Sequence, residues 1–232
     1  MKKLYFIPFI FLLTIQCIVL SGQSFYFGPK GGLGLNIQQW NGFQRQPLIV
    51  PFGDIFIESY DEESPSSLFA QIGYHTRGSA IRVLNLVGGS FSNSFRFNNL
   101  VLAAGAKRVL NVNAPTRPYY LVGIRGEYTL STNLHEYEQQ MSTFYPFDFY
   151  VNKFNYGLTA GGGFEFDFQD LVGGFIEITV NPDVSFQYDQ PPIPNVRNPF
   201  TGNLETLRER RIRNVSLEVT IGLRFLRKVE YY

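Results

Sequence analysis

Two histidines, His75 and His135, are the side chains of this sequence that could act as an imidazole base near neutral pH. His135 lies between the hydroxyl residues Ser131 and Thr132 on one side and Ser142 on the other, so a hydrolytic triad is one chemistry to consider. No fixed spacing supports it, because hydroxyl and carboxylate side chains are common in any polar loop. His75 is better explained as a hydrogen-bonding side chain inside the fold. We therefore predict that no residue is catalytic.

Other reactive groups are equally scarce in this sequence. The run Gly161-Gly162-Gly163 lies within a strand pattern with no helix after it, which argues against a phosphate-binding loop. Cys17 is the only cysteine, and it falls in an apolar amino-terminal run that we expect to be removed, so no disulfide or thiol chemistry is expected. No cluster has the spacing of metal ligands. We predict no cofactor and no metal.

The elements that position the remaining polar residues are strands. In the stretch 215–225 every odd position is large and apolar and every even position is small or polar, which is the two-residue period of a strand. The same period recurs over 120–130, 154–166 and 176–188, where Pro182 predicts a bulge or a break. It is shorter over 33–37 and 70–77. The segments 54–60 and 95–107 are further strand candidates whose faces the pattern does not settle.

About eight strands result, centred near residues 33, 57, 72, 102, 124, 160, 178 and 220. Segments 39–53, 78–94, 131–150 and 189–212 between them are long, and segments 61–66, 108–117 and 167–170 are shorter. This alternation is typical of an outer-membrane barrel with periplasmic termini and extracellular long loops, whereas a soluble sandwich does not require it. We predict an all-β fold, a closed antiparallel eight-stranded transmembrane β-barrel.

The composition agrees with an apolar setting. Charged residues make up 17% of the chain, below the roughly 25% of ordinary soluble domains. The formal net charge of +1 leaves no basic field that would hold a nucleic acid.

The amino terminus has the pattern of a secretory signal peptide. Lys2 and Lys3 precede an apolar run from Leu4 to Leu20, which ends at the small pair Ser21 and Gly22. The alternative is a membrane helix, for which the run is barely long enough. We predict a signal peptide over 1–22 and a barrel domain over 23–232.

The inward faces of the predicted strands carry charges of both signs. They cannot remain unpaired, because the interior of an eight-stranded barrel is filled by side chains and an unpartnered buried charge is costly. We predict a paired lumen charge network, rather than a conducting path, formed by Lys30, His75, Arg77, Arg125, Glu127, Glu165, Glu177, Glu218 and Arg224.

Two of the long segments carry side chains suited to contacts outside the barrel. Guanidinium groups bind lipopolysaccharide phosphates well, and aromatic and arginine side chains anchor protein interfaces. The candidates are Arg208, Arg210, Arg211, Arg213, Tyr137, Phe144, Tyr145 and Phe147. The alternatives are a solvated loop end for the arginines and an interfacial girdle for the aromatic residues.

Five segments carry a resemblance to a known family: 27–35, 72–78, 119–126, 157–166 and 221–225. Their Gly- and aromatic-rich strand pattern resembles the PorT-like family of small eight-stranded outer-membrane β-barrels of Bacteroidota. The resemblance implies an outer-membrane location, and the best known members take part in type IX secretion and gliding. One departure is that residues 226–232 follow Phe225, where the usual assembly signal has an aromatic residue at or near the carboxyl end.

We therefore expect a non-enzymatic structural, interaction or assembly role, as an accessory of an envelope or type IX-like secretion complex. The expected partners are outer-membrane lipid, lipopolysaccharide and other envelope proteins, with no nucleic acid. A narrow pore and a lipid-modifying enzyme are the alternatives. Ion steps in a planar bilayer would favour the pore, and an altered lipid A mass would favour the enzyme.

Overall fold

The computed structural model of the chain describes residues 24–40, 45–84, 90–111, 114–138, 147–198 and 201–229. The predicted signal peptide lies outside these residues and stays a prediction. No helix among the described residues is long and apolar enough to cross a membrane. In chain order the strands and helices are β1 (Phe25–Trp40), β2 (Gln46–Ser59), β3 (Ser66–Leu84), β4 (Ser90–Val109), β5 (Thr116–Thr132), the helix α1 (His135–Glu138), a 3₁₀ turn (Asp148–Tyr150), β6 (Phe154–Gln169), β7 (Val172–Pro182), β8 (Tyr188–Gln190), β9 (Ile193–Arg197), β10 (Leu204–Leu207) and β11 (Arg210–Arg227).

Eight of these strands form a closed antiparallel barrel in the order β1-β2-β3-β4-β5-β6-β7-β11. The barrel closes where β1 pairs with β11, from Phe25 opposite Arg227 to Trp40 opposite Ile212. Closure satisfies the backbone along both edges, which a sheet in lipid requires. The predicted fold class is confirmed.

The outer wall of the barrel is apolar and its interior is polar, the reverse of a soluble protein. On β11, Leu217 and Ile221 are exposed at 39% and 65%, whereas Glu218 between them is buried at 5%. The two strands whose faces the sequence left open follow the same rule. On β2, Ile55 and Ile57 point outward, and on β4 the outward residues include Leu100 and Leu102.

Aromatic side chains lie near both borders of this apolar wall. Both ends of the described chain lie at one end of the barrel, called here the terminal end, where the rings of Phe27 and Phe225 lie 5.9 Å apart. Toward the opposite end, called the long-loop end, the rings of Tyr128 and Phe154 lie 5.4 Å apart. Aromatic girdles at the two borders of an apolar band are typical of membrane barrels.

The prediction of four long loops at one end is wrong for two of them. Strands occupy most of 39–53 and 78–94, so the connections there shrink to 41–45 and 85–89. The β3–β4 ladder continues to Leu84 opposite Ser90. A strand that rises beyond the apolar band can keep its backbone pairing without an apolar outer face, so the polar stretches remain strand. The connections 133–153 and 183–209 are long, as predicted.

The predicted break near Pro182 is confirmed, because β7 ends at that residue. Beyond it, isolated contacts replace the ladder: the bridge between Gly157 and Asp183, the bond from the Asp183 N–H to the Asn214 carbonyl at 2.9 Å, and bonds from the Val184 and Ser185 N–H groups to the Tyr156 carbonyl at 3.0 and 3.1 Å. The chain then returns to the wall at β8, which pairs with the start of β11.

Candidate functional site

The lumen is filled by alternating charged and apolar layers. From the terminal end to the long-loop end, a lower charged layer is followed by an apolar layer, a central charged layer and an apolar cap. The lumen residues come from all eight barrel strands, because every second residue of each strand points inward. Of the sequence-predicted charges, Glu165 and Arg224 lie in the lower layer, His75, Arg77, Arg125, Glu127 and Glu218 lie in the central layer, and Lys30 and Glu177 form a separate pair.

The lower charged layer is centred on Glu165 of β6. Its carboxylate receives the Lys107 ammonium at 2.8 Å, the Arg224 guanidinium at 2.7 Å and the Arg117 Nε at 3.2 Å. Lys107 also binds Glu58 at 2.8 Å. Three cations on one carboxylate would be unfavourable alone, so Glu58 and the exposed Asp167, which pairs with Arg117 and Arg224, balance the charge.

A second pair joins this layer to the apolar one above it. The Lys30 Nζ and Glu177 Oε1 atoms lie 3.0 Å apart, and the Tyr119 hydroxyl donates to the other Glu177 oxygen at 3.0 Å. The Tyr119 ring belongs to the apolar layer, which consists of Phe56, Phe69, Tyr119, Leu121 and Phe175. Gly222 of β11 makes room for it, since an added Cβ there would lie 2.2 Å from the Phe175 ring.

The central charged layer is built around the buried guanidinium of Arg77. It contacts Glu127 at 2.8 Å, Glu218 at 2.6 Å and the Ser216 hydroxyl at 2.8 Å. Arg125 lies beside it, 2.9 Å from Glu127, and also pairs with Asp183. Side chains from β3, β5 and β11 therefore meet across the barrel, together with Asp183 just after β7.

His75 completes the central layer. Its Nε2 atom lies 2.8 Å from Asp54 and its Nδ1 atom lies 3.2 Å from Glu218. A carboxylate accepts hydrogen bonds, so both ring nitrogens must carry protons for both contacts to be favourable. The central layer holds four carboxylates against two guanidinium groups, and an imidazolium at His75 supplies a third positive charge. The Phe52 ring stacks on the imidazole at 4.6 Å.

An apolar cap closes the lumen at the long-loop end, formed by Phe95, Phe97, Leu134, Tyr188 and Ile212. The Tyr188 hydroxyl donates to Gln190 at 2.9 Å and accepts from the Phe147 backbone N–H at 3.1 Å. Burial raises the pKa of the Tyr188 phenol, which keeps it a neutral donor and acceptor. Tyr188 thus ties the 183–209 connection to the 133–153 connection.

The terminal end is open. A cavity of about 880 Å³ enters there and is lined by aromatic residues such as Tyr26 and Tyr60 and by charged residues that include Arg117, Glu165 and Arg224. The lower charged layer forms the inner wall of this cavity, so the cavity ends there and is called here the vestibule.

The arginines of the 189–212 segment do not form one cluster. The prediction that they lie in a long loop is wrong for three of the four, because β11 begins at Arg210 and the alternation of the strand sends them to opposite faces. Arg210 is buried, whereas Arg211 pairs with Asp189 at 3.1 Å and Arg213 lies over the Phe186 ring at 4.2 Å. Arg208 is exposed before the strand.

Of the predicted aromatic contact residues, Phe147 is described, and its ring lies 5.7 Å from the Phe149 ring. Phe144, Tyr145 and the side chain of Tyr137 lie outside the described residues. Phe149 is exposed at 73%, so at least one ring of this connection faces outward.

The hydroxyl and imidazole considered for hydrolysis do not face each other in the structure. The Thr132 hydroxyl donates to Asp148, and the His135 Nδ1 atom lies 4.0 Å from the other Asp148 oxygen. Asp148 therefore lies between Thr132 and His135, whereas a nucleophile must contact its base directly. Ser131 donates no bond to His135 and accepts one from Asn98 at 3.0 Å. Ser142 lies outside the described residues.

The charged residues of the lumen that sequence reasoning missed include Asp54, Glu58, Lys107, Arg117, Asp167 and Asp183. Asp54 and Glu58 share a face with Phe56 and alternate with Ile55 and Ile57. Assigning every second residue from Asp54 to the lumen would have found both carboxylates. The alternation is hard to recognise in the sequence, because Phe56 stands between Ile55 and Ile57 and all three side chains are apolar.

The sequence matches neither a protein-family model nor a curated protein. The solved structures that are similar to the chain in fold include two small outer-membrane proteins. Neisserial surface protein A gives a TM-score of 0.50 at 11% identity over 87% of this chain and 97% of that one. The outer membrane protein OprG from Pseudomonas aeruginosa gives 0.52 at 9% identity over 88% of this chain and 96% of that one.

The chain has the fold of a small outer-membrane β-barrel. At these identities the likeness extends to the fold alone. Function must therefore be argued from the residues of this chain.

Proposed function

We propose that this protein is a closed outer-membrane barrel with a non-enzymatic interaction role, and that its long-loop end is the working surface. The apolar outer wall supports the membrane location. Periplasmic termini and extracellular long loops complete the proposal, because membrane barrels place short turns on the periplasmic side.

The observation that carries the proposal is the filled lumen. Two ion-paired layers and two apolar groups of side chains cross it in succession, and the vestibule ends at the first of them. A conducting pore of this strand number would have to break pairs such as Arg77 with Glu127 and Glu218, which leaves buried charges unpartnered. The barrel is therefore a scaffold rather than a channel.

The loops supply the interaction surface. Exposed Arg211 and Arg213, the Phe186 ring and Phe149 lie at or beyond the long-loop border of the apolar wall. Guanidinium groups at this level suit the phosphates of lipopolysaccharide, and aromatic rings suit a protein partner. The buried Arg210 belongs to the barrel interior and is not part of this surface.

The narrower proposal is an accessory role in a type IX-like secretion complex of Bacteroidota. Its support is the resemblance of five strand segments to the PorT-like family. A mild-detergent pull-down from native membranes is expected to recover envelope proteins of such a complex. Recovery of the barrel alone, in repeated preparations, would remove this narrower role.

Planar bilayer recording tests the closed lumen. The folded protein is expected to give no resolved ion steps, because no continuous aqueous path crosses the two charged layers. A double variant, Arg77→Ala with Glu127→Ala, removes one positive and one negative charge, leaves Glu218 paired with His75 and Arg125 paired with Asp183, and serves as a comparison. Regular conductance steps from the unmodified protein would favour the pore instead, and an altered lipid A mass produced by the purified protein would favour the enzyme.

A further inference from the structure

The ladder between β2 and β3 is interrupted, whereas β1–β2 and β3–β4 pair without a comparable gap. β2 and β3 pair from Gly53 opposite Tyr74 to Glu58 opposite Phe69 and again at Pro47 opposite Ser79, with a register shift between. Five residues of β2, 48–52, therefore face four of β3, 75–78, which is the extra residue of a bulge. Pro47 and Pro51 explain the position, because proline has no N–H to donate to a ladder.

A groove of about 500 Å³ lies on the outer wall over this interruption. Its lining includes Val50, Pro51 and Gly53 of β2, Tyr74 and Thr76 of β3, and Arg96 of β4. The groove does not lead into the lumen, because Phe52 stacks on His75 behind it and the central charged layer follows. A molecule in the groove would remain on the lipid-facing side.

The groove is amphipathic along the barrel axis. Toward the middle of the wall it is bounded by Pro51 and Tyr74, next to the exposed Ile72. Toward the long-loop end, Thr76 donates to Asn98 at 2.9 Å and Asn98 donates to Ser131 at 3.0 Å, which forms a polar row on the outer face. This row marks the border of the apolar wall, where lipid head groups would lie.

Arg96 stands at that border with its charge uncompensated. Its Nε atom donates to the Ser94 hydroxyl at 3.1 Å, and no carboxylate in the described part of the chain pairs with it. Two further arginines near the long-loop border, Arg211 and Arg213, contact Asp189 and the Phe186 ring. A guanidinium fork at the head-group level with free donors matches a phosphate group.

We propose that the groove between β2 and β3 binds one anionic membrane lipid. Its phosphate contacts Arg96, and one acyl chain lies across Pro51 and Tyr74. The inference rests on the membrane location proposed above. It is independent of the partner surface and of the closed lumen.

Native mass spectrometry of the full-length protein, released from detergent micelles, tests the proposal with two defined probes. Dioleoylphosphatidylglycerol is expected to bind at one site more tightly than dioleoylphosphatidylcholine. Arg96→Gln is expected to weaken phosphatidylglycerol binding about tenfold, as expected for the loss of one charge-assisted contact. The matched control is Arg108→Gln, an exposed arginine at the terminal end of the same strand, which should leave binding unchanged.

A second pair of variants tests the groove itself. An added Cβ at Gly53 would lie 4.0 Å from the Lys30 carbonyl oxygen, and one at Gly126 on the wall of β5 would have no neighbouring side chain or strand within 4 Å. Gly53→Phe is therefore expected to fill the groove and abolish the preference for phosphatidylglycerol, whereas Gly126→Phe should keep it.

Equal effects within either pair of variants, or equal binding of the two lipids to a folded, heat-modifiable barrel, would overturn the groove proposal alone. A mature protein that stays folded and soluble without detergent would contradict the membrane location instead.

Discussion

At the scale of single residues, the central charged layer depends on His75. It is the one group there that can supply a positive charge to Asp54 and Glu218 together, at 2.8 Å and 3.2 Å. The two guanidinium groups of the layer are already shared among Glu127, Asp183 and Glu218. Loss of the imidazolium would leave Asp54 without a charged partner in a buried site.

We predict that His75→Leu lowers the free energy of unfolding by about 3 to 5 kcal/mol, the usual cost of removing one partner of a buried ion pair. Urea titration of the barrel in detergent, followed by the shift in gel mobility between folded and heated samples, measures the change. The exposed His135 is the matched position, and His135→Leu should have almost no effect. Equal destabilisation by the two variants would show that the imidazole is not a structural cation.

The residue scale also shows where sequence reasoning stops. Charges on β5, β7 and β11 could be assigned to the lumen because apolar and polar residues alternate cleanly there. On β2 and β4 the lumen side also carries Phe56, Phe97 and Val101, which fill the apolar layers. A small barrel needs such apolar side chains to fill its interior. On these strands both faces therefore carry apolar residues, and the polarity pattern no longer distinguishes the lumen face from the outer face.

At the scale of elements, each barrel strand combines an apolar outer face with an inner face whose side chains form the charged and apolar layers of the lumen. The existence and type of all eight strands could be predicted from the two-residue period. Their lengths and registers could not, because strand ends beyond the apolar band are held by backbone pairing, which has no side-chain signature. The shift between β2 and β3 could be anticipated only from Pro47 and Pro51.

The outer face gives a prediction that separates a membrane barrel from a soluble one. Ile221 on the wall of β11 and Leu204 on the β9–β10 hairpin are exposed to similar extents, 65% and 69%. In water, arginine would be tolerated at both. In a bilayer, Ile221→Arg is expected to cost about 2 to 4 kcal/mol and Leu204→Arg almost nothing. The yield of heat-modifiable barrel after refolding into lipid vesicles checks this, and equal yields would contradict the assignment of the wall to lipid.

At the scale of the whole molecule, the barrel and its long-loop end are different kinds of structure. The wall is held by backbone ladders between neighbouring strands and the lumen by buried ion pairs, and both belong to the barrel itself. The connections 133–153 and 183–209 are longer than any strand-to-strand turn requires. They are nevertheless anchored, since Tyr188 bonds to Phe147 and Gln190 and packs in the cap with Leu134. An anchored long loop presents a defined surface, which supports recognition.

This arrangement allows the proposed partner surface to be removed without the scaffold. Replacing 136–146 with a short Gly-Ser linker keeps Leu134 and Phe147, so the cap and the Tyr188 bonds should persist and the barrel should remain heat-modifiable. A mild-detergent pull-down from native membranes with this variant should lose the proteins that the unmodified barrel recovers. The matched control replaces 61–64 in the connection between β2 and β3 at the terminal end, which should keep them. Retention of the same proteins by the 136–146 variant would show that the partner contacts another part of the molecule, because a scaffold that folds and still binds cannot depend on the segment it lacks.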